Sequence, residues 1–255
     1  MTIIPLPLLK DNYAYLLHCP HTSETAIIDP SESAPVIEEL DKRGLKLTYI
    51  INTHHHHDHV GGNEEIKKHT DCQVVCSYTD RNRVPGADIS LKEGDIFKLG
   101  QHEARIMEIP GHTIGHMALW FIKDEAVFVG DTLFSLGCGR MFEGTPEQMW
   151  NSLRRLADLP RTTKVYCGHE YTRANGRFAL DIDPHNPALK DYYHQVQQLR
   201  DSGKPTVPST IEIEVETNPF LRAPLLVGAL GLGENVPPHE AFAAMRHRKD
   251  HYIDS

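Results

Sequence analysis

Leu47-Thr-Tyr-Ile-Ile-Asn-Thr-His-His-His-His-Asp-His59 carries an apolar, β-branched run straight into four metal-type ligands within six residues: His54, His56, Asp58 and His59. Leu47 to Ile51 reads as a short buried strand, so the histidines sit on a loop at its C-terminal exit. A rigid strand end holds loop side chains in reproducible positions, which suits catalysis. Alternation turns His54 and His56 one way and His55 and His57 the other, so the second pair is expected in supporting or structural roles. Gly61-Gly62 is expected to permit the turn that lets Asp58 and His59 reach a second ion. The run is internal, ahead of a predicted helix from Asn63 to His69, which separates it from an appended tag. Imidazole is the commonest metal ligand near neutral pH.

A second set of candidate ligands shares the strand-exit context. His112 follows Ile109-Pro110-Gly111, Asp131 follows Val127-Phe-Val-Gly130, and His169 follows Val165-Tyr-Cys-Gly168. Together with the first motif they supply seven nitrogen and oxygen donors, enough for two ions that each keep a position open to solvent. One division gives His54, His56 and His112 to one ion and Asp58, His59 and His169 to the other, with Asp131 bridging. His18, His21, His69, His102, His116 and His247 lack this context and are read as structural or solvated. The donor mixture suits zinc first, with iron or manganese as alternatives. Two such ions lower the pKa of a shared water, so no serine or cysteine nucleophile is required.

The surrounding chain has 255 residues, a net charge of -9 and five cysteines. The acidic balance argues against nucleic acid or an anionic membrane as a partner. No apolar window of about 18 residues is present, and the start Met-Thr-Ile-Ile-Pro-Leu-Pro lacks a signal-peptide pattern. Cys19, Cys72, Cys76, Cys138 and Cys167 are odd in number and scattered, which fits reduced thiols. A cytoplasmic monomer acting on a small molecule is the expectation.

Strand candidates are Tyr13 to His18, Thr25 to Ile28, Leu47 to Ile51, Gln73 to Cys76, Arg105 to Ile109, Met117 to Ile122, Ala126 to Val129 and Lys164 to Cys167. Helices interrupt them at Ala34 to Arg43, which stops at Gly44, and at Pro146 to Leu159, which starts on the capping box of Thr145 and Gln148. The mixture predicts two packed sheets with outer helices. From about Tyr171 the pattern becomes helical, notably Ala188 to Arg200 and His239 to His251. The predicted domains are 1–170 and 171–255. Ile211-Glu-Ile-Glu-Val-Glu216 alternates as a strand would, although Ser209 and Glu212 could form a capping box.

The seven donors resemble those of the metallo-β-lactamase superfamily, whose members carry H-x-H-x-D-H followed by separated His, Asp and His. Gly130-Asp-Thr-Leu-Phe134, Cys138-Gly-Arg-Met-Phe-Glu-Gly144, Cys167-Gly-His-Glu-Tyr-Thr172 and Asn218-Pro-Phe-Leu-Arg222 are similar to glyoxalase II, the hydroxyacylglutathione hydrolases. The resemblance covers essentially the whole chain. It implies an α/β fold, a four-layer αββα sandwich followed by a small all-helical C-terminal domain, and a helix before Asn218 in place of the strand. It also implies hydrolysis of S-D-lactoylglutathione; in that reaction the catalytic residues are expected to be Asp131, bridging the ions, and Asp58, with Asp58 or a solvent-linked group managing the proton. The glutathione-binding residues it implies are Arg140, Tyr171, Arg246 and Lys249. Phe142 replaces a tyrosine found in some relatives and would serve as a wall rather than a polar contact.

Other chemistries of this fold remain open at this point. A β-lactam hydrolase would usually place a cysteine where Asp131 stands, and a tRNA-processing nuclease would need a basic arm. A persulfide dioxygenase would use one iron and fewer ligands, and a metal buffer would bind ions without turnover.

Overall fold

Hydrophobic patterning in the N-terminal half produces strands that bury on two faces. In the computed structural model, which describes residues 1–253, packing divides the chain into two units. The first takes in Met1–Glu108 and Ile114–Gly130; the second takes in Ile109–Thr113 and the chain from Asp131 onward. The sequence instead divides the chain at 170/171, and the last two residues of that second expected domain lie outside the described residues.

The first unit runs β1 (Thr2–Leu8), β2 (Asn12–His18), β3 (Thr25–Ile28), α1 (Ser33–Arg43), β4 (Tyr49–Ile51), α2 (His57–Val60), α3 (Asn63–Thr70), β5 (Gln73–Ser77), β6 (Ala87–Leu91), β7 (Ile96–Leu99), β8 (His102–Glu108), β9 (Met117–Phe121) and β10 (Ala126–Gly130). One sheet has the order β1-β2-β3-β4-β5-β6, antiparallel from β1 to β3 and parallel from β3 to β6. Its inner strands are nearly continuous apolar runs because they are covered on both sides. Val36 and Leu40 of α1 and Ile66 of α3 close one core with Ile27, Ile50 and Val74. On the other face Tyr15 meets Phe128 edge-on at 5.4 Å and Tyr49 meets Phe97 at 5.2 Å, which joins the sheet to the antiparallel set β10-β9-β8-β7.

Sequence patterning passes over β1 because Pro5 and Pro7 interrupt it. They are tolerated because β1 is an edge strand pairing only with β2, and residues two apart point their missing N–H groups the same way, away from the partner. Strands β6 and β7 are also missed; both are short and half exposed, so their apolar signal is thin.

The second unit contains β11 (Leu133–Phe134), β12 (Gly137–Cys138), α4 (Pro146–Ala157), β13 (Lys164–Cys167), α5 (Thr172–Ile182), α6 (Pro187–Asp201), β14 (Ser209–Thr210), α7 (Ile211–Thr217) and α8 (Pro238–Asp250). The capping box at Thr145 and Gln148 forms as expected. Residues 211–217 are helical, which agrees with the resemblance and not with the alternation. The cap differs from the expected one: Thr210 accepts from the Ile213 amide, while Ser209 pairs with Val165 in a sheet. The helix wins because Ile211, Glu214 and Thr217, spaced by three, are the buried positions. No helix among the described residues is long and apolar enough to cross a membrane. All five cysteines are free and buried.

Helices α5 and α6 approach closely at Gly176, where an added Cβ would fall 2.2 Å from the Tyr193 ring. Gly176→Ala should therefore destabilise the protein despite alanine's better helix propensity, because overpacking costs about 1–3 kcal/mol against a propensity gain of about 1 kcal/mol. Thermal denaturation checks this: a Tm lowered by a few degrees is expected, and an unchanged or higher Tm would mean that Tyr193 moves aside freely.

Candidate metal centre

In the first unit, the exit of β4 delivers Thr53 and His54 into the interior. The ring of His54 lies 4.7 Å from that of His56 and 4.2 Å from that of His59, and His59 Nε2 is 3.6 Å from Asp58 Oδ2. Asp29, at the exit of the neighbouring β3, organises this group. Its Oδ1 accepts from the Thr53 amide at 2.8 Å; its Oδ2 accepts from the Thr53 hydroxyl at 2.6 Å and faces His59 Nδ1 at 3.0 Å. Since the Thr53 hydroxyl donates to Asp29, its oxygen is left to accept from His54 Nδ1, 3.0 Å away. Both imidazoles are thereby held with the proton on Nδ1 and the lone pair on Nε2, the form that ligates a metal.

Asp58 is steadied from the other side, where Asn12 Nδ2 donates to its carbonyl at 2.9 Å and to its Oδ2 at 3.1 Å. His55 turns away to Asp80 at 3.1 Å, and His57 is exposed at the start of α2. Gly61 and Gly62 have ordinary helical φ values, so the expected conformational reason for them is wrong. They are needed for close approach: a Cβ would fall 2.6 Å from the Ser31 carbonyl and 2.9 Å from that of Pro30.

In the second unit His112, Asp131 and His169 come together, all nearly fully buried. Asp131 Oδ2 lies 3.6 Å from His112 Nε2 and 3.2 Å from His169 Nε2. His112 Nδ1 is 2.7 Å from the Arg140 carbonyl, which can only accept, so its lone pair too is on Nε2. His169 stacks on Tyr171 at 4.7 Å, with Phe134 edge-on at 5.9 Å. The loop through Gly139 folds tightly over Asp131, where a Cβ would fall 1.9 Å from the Asp131 carbonyl. Burial pushes the Cys138 thiol up to about 11 and that of Cys167 to about 12, so neither is a thiolate nucleophile at neutral pH.

The expected glutathione contacts also lie in the second unit. Arg140 and Phe142 are exposed, and the Phe142 ring stands 5.2 Å from His112. Lys249 Nζ lies 3.3 Å from the Ala174 carbonyl. Arg246 is buried: it donates to the Cys138 carbonyl at 3.0 Å, pairs with Asp250 at 2.9 Å and lies over Phe220 at 4.9 Å.

Sequence reasoning missed Asp29 and Asp80. Asp29 could have been found by the strand-exit context that pointed to the other ligands, because it directly follows Ile28 at the end of β3.

Imidazoles with prescribed tautomers, interspersed with carboxylates at strand exits of a two-sheet sandwich, fit a divalent metal and define a protein of the metallo-β-lactamase class. Residues 9–169 match the Metallo-beta-lactamase superfamily, and residues 170–252 match the Hydroxyacylglutathione hydrolase C-terminus. The chain is 54% identical to a hydroxyacylglutathione hydrolase of Methylococcus capsulatus over 98% of each protein, and 49% identical to one of Rhodospirillum rubrum over 99% of each. Its structure is similar to the crystal structure of ETHE1 from Myxococcus xanthus, with a TM-score of 0.70 at 25% identity, over 98% of this chain and 91% of that one. The chain belongs to the hydroxyacylglutathione hydrolase family.

Proposed function

We propose that this protein hydrolyses S-D-lactoylglutathione and related 2-hydroxyacyl glutathione thioesters to the hydroxy acid, D-lactate, and glutathione, the second step of methylglyoxal detoxification. The observation that carries the metal site is that His54, His59 and His112 each have Nδ1 within 3.0 Å of an oxygen that can accept its proton, which leaves Nε2 for a metal. The thioester substrate is supported by the full-length relatives named hydroxyacylglutathione hydrolase. They also disfavour the persulfide dioxygenase and nuclease readings.

His54, His56 and His112 would hold one divalent ion, Asp58, His59 and His169 a second, and Asp131 would bridge them. Zinc is the first choice, with iron or manganese as alternatives. When bound, the ions supply Lewis acidity and a nucleophile of hydroxide strength near neutral pH. The protein's own groups do the rest. Buried side chains keep the ligands from rotating, Phe142 would provide a wall, and Arg140, Tyr171 and Lys249 would hold the glutathione peptide, with Arg246 acting from beneath them through the Cys138 carbonyl and the Asp250 carboxylate that also faces Arg140. A thiolate is a good leaving group, so cleavage of the C–S bond makes little demand on a separate general acid. Five buried free thiols and a net charge of -9 suit a reducing, cytoplasmic setting.

The test follows the thioester absorbance of S-D-lactoylglutathione on protein of measured metal content. Rapid hydrolysis that chelator abolishes and added zinc restores is the expected result. Metal-loaded protein that leaves the thioester intact would overturn the substrate assignment.

A further inference from the structure

The hairpin of β11 and β12 connects two parts of the site: Asp131 precedes it and Arg140 follows it. At its tip Leu136 is fully buried and adopts a left-handed conformation at φ 57, which a branched side chain disfavours and which persists only where surroundings over-determine it. Those surroundings come from the helical segments. Glu214 of α7, itself fully buried, accepts from the Leu136 amide at 3.0 Å. Asn218, also fully buried, donates to Glu214 Oε2 at 2.9 Å, to the Phe134 carbonyl at 3.1 Å and to the Gly137 carbonyl at 2.9 Å. Asn175 of α5 takes the Ser135 carbonyl at 3.2 Å, and Tyr192 of α6 meets the Ser135 hydroxyl at 2.8 Å. The polar groups of the turn are thus held from several helices at once.

We propose that the Glu214–Asn218 pair is a positioning clamp that sets Asp131 for metal binding and the 138–142 segment for substrate, through the β11–β12 hairpin. The proposal rests on the assignment of Asp131 as a metal ligand. The contacts of both clamp residues described above are with the hairpin and with each other, so their role is positioning and the catalytic residues are other groups. Burial raises the Glu214 carboxyl, an effect that hydrogen bonds from Ser209, Asn218 and the Leu136 amide oppose. A neutral side chain of the same shape is therefore compatible with the pocket, whereas loss of the acceptor strands the Leu136 amide.

Glu214→Gln and Glu214→Ala separate positioning from bulk stability. Metal content after dialysis, competition with a chromophoric chelator, and kcat and KM are measured on both. Glu214→Gln should keep metal content and kcat within about twofold, while Glu214→Ala should weaken metal retention at least tenfold and lower kcat more than it raises KM, in line with losses caused by removing groups behind a ligand. Asn218→Ala removes the other arm of the clamp and should weaken metal retention in the same way, which keeps the test open if Glu214→Ala is insoluble. Wild-type metal affinity in either alanine variant would overturn the clamp, as would a glutamine variant no better than alanine. The chelator readout needs no thioester, so a wrong substrate assignment would leave wild-type metal binding intact and is told apart from failure of the clamp.

Discussion

Asp131→Ala should lose most of its bound metal and lower kcat/KM for the thioester by at least about 100-fold, since removing groups that merely support a ligand already costs 10–100-fold. Asp131 is the carboxylate between His112 and His169, with Oδ2 3.6 and 3.2 Å from their Nε2 atoms. Its removal deletes the negative charge that would offset two divalent ions and leaves the imidazoles around an apolar methyl. A loss confined to kcat and kcat/KM would mark it as acting on the reacting groups, whereas an effect on KM alone would point to substrate binding. Metal analysis and steady-state kinetics decide the matter. Two retained metals with full activity would remove the bridging role from Asp131.

Asp29→Ala should have the next largest effect, on folding and metal affinity together. One carboxylate accepts from the Thr53 amide, the Thr53 hydroxyl and His59 Nδ1, and through Thr53 it also sets the proton on His54. Truncation leaves several buried donors without an acceptor at about 1–3 kcal/mol each, so a loss of about 3–5 kcal/mol is expected after relaxation. Metal affinity should fall about 10–100-fold because both histidines can then rotate or change tautomer. Denaturant unfolding of the metal-free protein and chelator competition separate the two effects. Unchanged metal affinity in a folded Asp29→Ala protein would show that Thr53 and packing alone align the rings. Asp29→Asn tests the same point with the volume kept, because an amide presents one acceptor oxygen where the carboxylate has two.

Much of the fold was legible because its signals are local. Strand β4 announces itself by a β-branched run, α1 by Gly44 at its end, and α4 by the capping box at Thr145. Edge strands escaped because they bury little and, in β1, contain prolines. Residues 211–217 show the limit of periodicity: the same six alternating residues suit a strand, and the helix is decided by which positions the tertiary core receives. Gly61 and Gly62 show a related limit, since their requirement lies in contact with Pro30 and Ser31, some 30 residues away in the chain.

By itself the sequence determined the chemical type of the site. Donor identity is written residue by residue, and the strand-exit context of His54, His112, Asp131 and His169 follows from short apolar runs that need no distant partner. Only tertiary structure decided which nitrogen His54, His59 and His112 present and what holds it there. Those choices depend on hydrogen bonds between residues far apart in sequence, Asp29 with His59 across 30 positions and His112 with the Arg140 carbonyl across 28. The hairpin beyond Asp131 depends on Asn218 reaching Phe134 across 84. A chain pattern encodes what a side chain can donate or accept, but a buried proton's location is set by the acceptor that folding brings beside it.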